Sequence, residues 1–265
     1  MNRFAWAAAA AVLLAAGCSG QAGTPWREKF FPPSTAVQLV RIESDQADVR
    51  REGLQAVAAD ASARRLPAVI KLFCVVARKD RDSMARAAAV KGLGRMEGEE
   101  VVATLGYVAT HDESPFVRVD AAQALGRQAN PARQGDAVAS PAAVAPLAQV
   151  LQGDRMADVR VAAAESLRQF KDKAAARALL AALNDSSLAV SCKAWESLRY
   201  MTGQNMPRQV QPWEDFLASA ADPFEQYAKP PPMPRGENQR PQFTKGVMES
   251  VRDLFSTDVT EQELQ

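Results

Sequence analysis

The sequence has one histidine, His111, and three cysteines, Cys18, Cys74 and Cys192, in 265 residues. No tetrahedral zinc site can be assembled from so few nitrogen and sulfur ligands at these spacings, and His111 reads as a surface residue closing a helix. A glycine-rich phosphate loop and a G-x-S-x-G nucleophile elbow are both missing. Asp80 and Asp82 flank Arg81 in a turn, and they suit helix capping better than they suit a hard cation. Aromatic residues make up only 6% of the chain, too few for large sheets or roomy ligand cavities. An excess of either charge is lacking too, with 32 basic against 31 acidic side chains. That balance gives nucleic acid no electrostatic foothold. What remains is 47% hydrophobic residues, rich in alanine, a composition for helices packed at close range. The expectation is an all-α protein with no cofactor, no metal and no small-molecule substrate.

Residues 1–17, MNRFAWAAAAAVLLAAG, place Arg3 before an apolar run that ends in small residues at Cys18. This is the layout of a secretory signal, and the run is too short to cross a bilayer. The ending Leu14-Ala15-Ala16-Gly17-Cys18 resembles the lipobox of bacterial lipoproteins, which implies cleavage before Cys18 and acylation of it; Ala15 stands where leucine is commonest. Several acyl chains hold far more firmly than one. The expected location is outside the cytoplasm on a membrane, with Ser19 favouring the outer membrane of a double-membraned cell. Residues 18–32 form the tether. Cys74 and Cys192 lie in separate helical segments and are expected to be free thiols.

Aligned on itself, the chain shows one unit five times: VRREGLQAV (49–57), ARAAAVKGL (85–93), VRVDAAQAL (117–125), VRVAAAESL (159–167) and VSCKAWESL (190–198). The first, fifth, eighth and ninth positions share one helical face, and the seventh points away. Each copy follows a second apolar segment, namely STAVQLVRI, LPAVIKLFCVVA, EEVVATLGYVAT, PAAVAPLAQVL or AAARALLAALN. The unit is therefore helix, turn, helix. A long third interval holds residues 128–140, QANPARQGDAVAS, whose composition suits a surface loop.

The stretch DESPFVRVDAAQALG resembles HEAT repeats, and more narrowly the short HEAT-like repeats of phycobilisome lyase subunits. The resemblance covers residues 33–203 and implies a right-handed α-solenoid of about five helical hairpins. Ser191 and Trp195 depart from the pattern in the fifth copy, as befits a terminal repeat. The same resemblance carries an alternative function, a lyase-like or chromophore-handling enzyme.

Arg50, Arg86, Arg118 and Arg160 occupy the second position of each unit, on the edge of an apolar face. Their stems can lie along that face while the guanidinium reaches aspartates and carbonyls of a neighbouring turn. The aspartates assigned to this ladder are Asp48, Asp82, Asp112 and Asp158. Outward positions of the second helices, Arg51, Glu52, Gln55, Lys91, Asp120, Gln123, Glu165, Lys193 and Glu196, mix both signs without a large aromatic. They form the candidate partner-binding surface.

Past the repeats, residues 204–228 contain PWEDFL, whose Trp213 and Phe216 are expected to cap repeat five. Residues 229–242 are proline-rich, and FTKGVMESVRDLF (243–255) is amphipathic. That last segment could dock on the solenoid, a partner or the membrane. The sequence thus favours a non-enzymatic, lipid-anchored scaffold binding an unidentified envelope protein.

Overall fold

The computed structural model describes residues 34–129 and 141–229. Among them the chain is all-helical. The first helices of the five hairpins are α1 (Thr35–Ile42), α3 (Pro67–Lys79), α5 (Glu99–His111), α7 (Val144–Gly153) and α9 (Lys173–Ala181). The second helices are α2 (Ala47–Ala59), α4 (Ser83–Leu93), α6 (Pro115–Arg127), α8 (Ala157–Leu167) and α10 (Leu188–Thr202). A further helix, α11 (Val210–Ser219), follows them. The tether and the signal segment lie outside the described residues, as do the loop at 130–140 and the segment 243–265.

The hairpins stack into two layers. Second helices pack in succession, α2 on α4 on α6 on α8 on α10, while α3, α5, α7 and α9 do the same in the other layer. The nine-residue unit explains why. Its ninth position is fully buried as Leu93, Leu125, Leu167 and Leu198, each contributing roughly 1.5–3 kcal/mol of transfer energy. Its fifth position is an alanine with no exposed surface in four copies, Ala89, Ala121, Ala163 and Ala194. Small residues at the eighth position let backbones approach: a methyl group on Gly126 of α6 would lie 2.9 Å from the Ser166 Cβ of α8. Ser197 uses the same closeness to donate to the Ala164 carbonyl of the preceding repeat, at 2.9 Å.

Helix boundaries follow local chemistry. Pro67 and Pro115 open α3 and α6, where a missing N–H costs nothing. Gly203 closes α10 with φ of 68°, a left-handed turn that glycine adopts without strain. Beyond it the chain folds back over the last hairpin. Helix α11 packs on α9, Trp213 is fully buried, and its Nε1 donates to the Pro207 carbonyl at 2.9 Å. Trp195 donates to the Met206 carbonyl at 2.7 Å, which accounts for the bulky residue in repeat five. Phe216 and Leu217 are half-buried, and the Tyr227 hydroxyl donates to the Gln169 carbonyl at 3.0 Å. The stack's last apolar face is covered, as a repeat array requires.

Candidate functional site: the arginine ladder and the second-helix face

Every rung of the ladder has the same construction. In repeats two to five the turn between the two helices opens with an aspartate, at the C-cap of the first helix or, for Asp185, of the 3-10 turn Ala182–Asn184 that extends it, and that carboxylate accepts the backbone N–H two residues on. Asp80, Asp112, Asp154 and Asp185 do this for Asp82, Ser114, Met156 and Ser187 at 2.7–2.9 Å. Six residues after this position comes the arginine of the same repeat, and its Nη1 donates back to the carbonyl there. The pairs are Arg50 to Ser44 (2.9 Å), Arg86 to Asp80 (2.9 Å), Arg118 to Asp112 (2.8 Å) and Arg160 to Asp154 (2.7 Å).

The other two guanidinium nitrogens cross to the next repeat. Arg50 grips Asp80 at 2.8 and 2.8 Å, Arg86 grips Asp112 at 2.8 and 2.9 Å, Arg118 grips Asp154 at 2.6 and 3.0 Å, and Arg160 grips Asp185 at 2.8 and 2.8 Å. These are bidentate, charge-assisted pairs, and Arg118 keeps only 6% of its surface exposed. Burial pushes the Asp80 and Asp154 carboxyls up. The arginine hydrogen bonds, the turn N–H and the guanidinium charge outweigh it and hold both below the ordinary carboxylate range. Asp185 is lowered first by its bond to Arg160.

This geometry corrects the sequence-based ladder in three places. Asp48, Asp82 and Asp158 are not rungs. Asp48 and Asp158 precede their arginines by two positions, about 200° around the helix, and both are exposed; Asp48 pairs with Arg51 at 2.9 Å on its own helix. Asp82 is the N-cap of α4 and accepts from the Ala85 N–H at 2.8 Å. The rung carboxylates are Asp80, Asp112, Asp154 and Asp185. The six-residue spacing from aspartate to arginine recurs in repeats two to four, but it ties each arginine to its own turn and not to the aspartate it grips in the next.

Because each arginine reaches forward, the ladder is offset by one repeat. Among the described residues no arginine precedes repeat one, which carries Ser44 at the aspartate position. Repeat five lacks an aspartate after it and carries Ser191 at the arginine position. Arg208 from the capping segment lies there instead, donating to Ser191 Oγ at 3.3 Å and contacting Cys192 Sγ at 2.8 Å. The C-terminal end of the ladder is thus chemically closed.

The family model for HEAT repeats matches residues 35–126, 70–142 and 144–228. This chain is a HEAT-repeat protein. Two engineered proteins of known crystal structure are similar in arrangement. One has 19% identity over 62% of this chain and 78% of its own, with a TM-score of 0.44. The other has 20% identity over 74% and 96%, with a TM-score of 0.46. No curated protein matches significantly.

On the HEAT repeats the outward second-helix residues form a self-neutralised surface. Glu52 pairs with Arg41 at 3.3 Å, Lys91 with Asp120 of the next repeat at 3.2 Å, Glu165 with Arg168 at 3.3 Å, and Lys193 with Glu196 at 2.9 Å. Gln55 and Gln123 are exposed beside them. Such pairs contribute little to stability individually but leave a polar, charge-balanced face. One expectation about this face fails: a large aromatic is present, because Phe116 in the first turn of α6 is 78% exposed. Phe116 precedes the matched nine-residue unit, so the repeat alignment passed over it. Met84, Met156 and Leu188 are also exposed at the starts of their second helices.

Two open clefts of about 400 and 300 Å³ follow the ladder edge. Their walls include Arg118 and Asp154 in one and Arg86 and Asp112 in the other, which are already committed to each other. His111 borders the second cleft, its ring stacked on Tyr107 at 4.6 Å. Cys74 is buried and Cys192 half-buried, both as free thiols.

Proposed function

We propose that the protein is a non-enzymatic scaffold, anchored by a lipid on Cys18, that binds another envelope protein along its second-helix face. The observation that carries this reading is the continuous row of second helices, from Arg51 in repeat one to Glu196 in repeat five, whose outward charges are balanced within the chain. Such a row offers a long polar surface at no cost in unpaired charge, with Phe116 as an apolar anchor of the kind that dominates interface energetics. The ladder fixes the register between repeats and so pre-forms that surface, which lowers the ordering cost of binding. The lipid anchor is supported by the apolar run and its Ala-Gly-Cys ending, and places the scaffold on a membrane outside the cytoplasm.

The test is cross-linking in intact cells followed by identification of the joined proteins, using the wild type and Phe116→Asp. A partner captured by the wild type and lost from the variant supports the reading. Equal capture by both refutes the assignment of this face. Fractionation of Cys18→Ala reads the anchor separately: a chain that stays in the membrane fraction unchanged rules out acylation as its means of attachment.

A further inference from the structure

Among the described residues, the densest run of cations that form no ion pair lies around α3. Residues 61–81 contain Arg64, Arg65, Lys71, Arg78, Lys79 and Arg81 against one acid, Asp80, and Asp80 is taken up by Arg50. None of the six cations forms an ion pair among the described residues. Arg64 donates to the Ala58 carbonyl at 2.8 Å, Arg81 donates to the Asp45 carbonyl at 2.9 Å, and Arg78 lies over the Tyr107 ring at 4.9 Å. This contrasts with the second-helix face, where cations and carboxylates are matched.

The same strip is apolar as well as basic. Lys71, Val75 and Arg78 stand at i, i+4 and i+7, one outward stripe of α3. Val75 is 54% exposed, and Leu66, just before the helix, is 52% exposed. Single aliphatic side chains framed by long cations match a phospholipid surface, where ammonium and guanidinium groups meet phosphates while short apolar groups enter the interface. Glu99 and Glu100, in the first turn of α5, lie beside the middle of α3, where Cys74 reaches the Glu100 carbonyl and Arg78 the Ala103 carbonyl, and offset part of this charge.

The hydroxyl of Thr35, in the first turn of α1, donates to Asp60 at 2.6 Å, so the described chain begins beside the loop that carries Arg64 and Arg65. The Asp60 carboxylate offsets part of the charge at that end.

We infer that the first-helix face around α3 rests on an anionic phospholipid surface, orienting the solenoid so that its second-helix face stays free for the partner. The choice of lipid over an acidic protein rests on the anchor reading. The test therefore uses a chain that cannot be acylated. Full-length Cys18→Ala protein is mixed with vesicles of phosphatidylcholine alone, or of equal parts phosphatidylcholine and phosphatidylglycerol, and the bound fraction is measured by flotation. The phosphatidylcholine vesicles report whatever the apolar N-terminal run contributes. Binding should require phosphatidylglycerol and weaken with salt. Replacing Lys71, Arg78 and Lys79 by glutamine together should weaken it roughly 100-fold, from about fivefold per cation near such a surface. Replacing the exposed Lys173 and Arg177 of repeat five likewise should change it little.

Equal binding to both vesicle types overturns the inference, as does a triple variant that binds like its parent. So does loss of an acidic protein from the triple variant's cross-links with vesicle binding intact, which would give the face to that protein. Folding of each variant is checked by its thermal melt. Failure of the anchor itself appears only in the cell-fractionation experiment.

Discussion

Arg118 gives the sharpest test of how the HEAT repeats are held together. The residue is 6% exposed, and its guanidinium makes bonds of 2.6 and 3.0 Å to Asp154 and donates to the Asp112 and Glu113 carbonyls at 2.8 and 3.4 Å. Truncation to alanine removes all of these and leaves the Asp154 carboxylate, 7% exposed, with its turn N–H as the main remaining donor. A buried charge deprived of its partner costs about 3–4 kcal/mol. Asp154→Ala is milder, at about 2–3 kcal/mol, because Arg118 retains its carbonyls. The double variant should cost about 3 kcal/mol in place of the 5–7 expected from the sum, a coupling of at least ~2 kcal/mol. Urea unfolding followed by helical circular dichroism measures all four chains, with the transition's cooperativity checked because repeat arrays can open at one interface. Additive losses, or an Arg118→Ala chain as stable as its parent, would refute the claim that these residues form one energetic unit.

The ladder also sets a pH dependence. Asp80, Asp154 and Asp185 have lowered folded-state pKa values, so their contribution is complete above the unfolded carboxylate value of about 3.9 and is lost as pH falls through the folded values. The stability gap between wild type and Arg118→Ala/Asp154→Ala should hold from about pH 7 to 5 and shrink below about pH 4; a gap that shrinks first near neutrality contradicts the assignment. The two ends of the ladder predict an asymmetry, measured by the same unfolding assay. Ser191→Arg places a second guanidinium beside Arg208 with no aspartate ahead and should cost about 2–4 kcal/mol, whereas Ser44→Asp, in a half-exposed turn, should stay within about 0.5 kcal/mol. Thiol labelling of the native chain at mildly alkaline pH should modify Cys192 and spare Cys74, whose thiol is buried and pushed up by desolvation; equal rates would place Cys74 in an opening segment.

The repeat unit was legible because its requirements are local and recur. Small residues at the fifth and eighth positions, Leu or Val at the ninth and an arginine at the second define a helix that must pack on copies of itself, and the spacing of those copies gives the hairpins. Trp213 as a cap was readable for the same reason, since a large apolar residue after the last repeat has only one uncovered face to reach.

Which aspartate each arginine meets was decided by tertiary structure alone. Composition and periodicity place Asp80 and Asp82, or Asp154 and Asp158, in the same turn, and a one-dimensional reading cannot tell a cap from a rung. The stacking of helices brings each guanidinium against the first aspartate of the following turn, 25 to 36 residues away along the chain. The second helices' charge pairs and the unpaired cations around α3 were hidden likewise. Sequence states how many charges there are, but whether a charge is neutralised depends on distances of a few ångströms between residues of different repeats, and only the packed stack sets those.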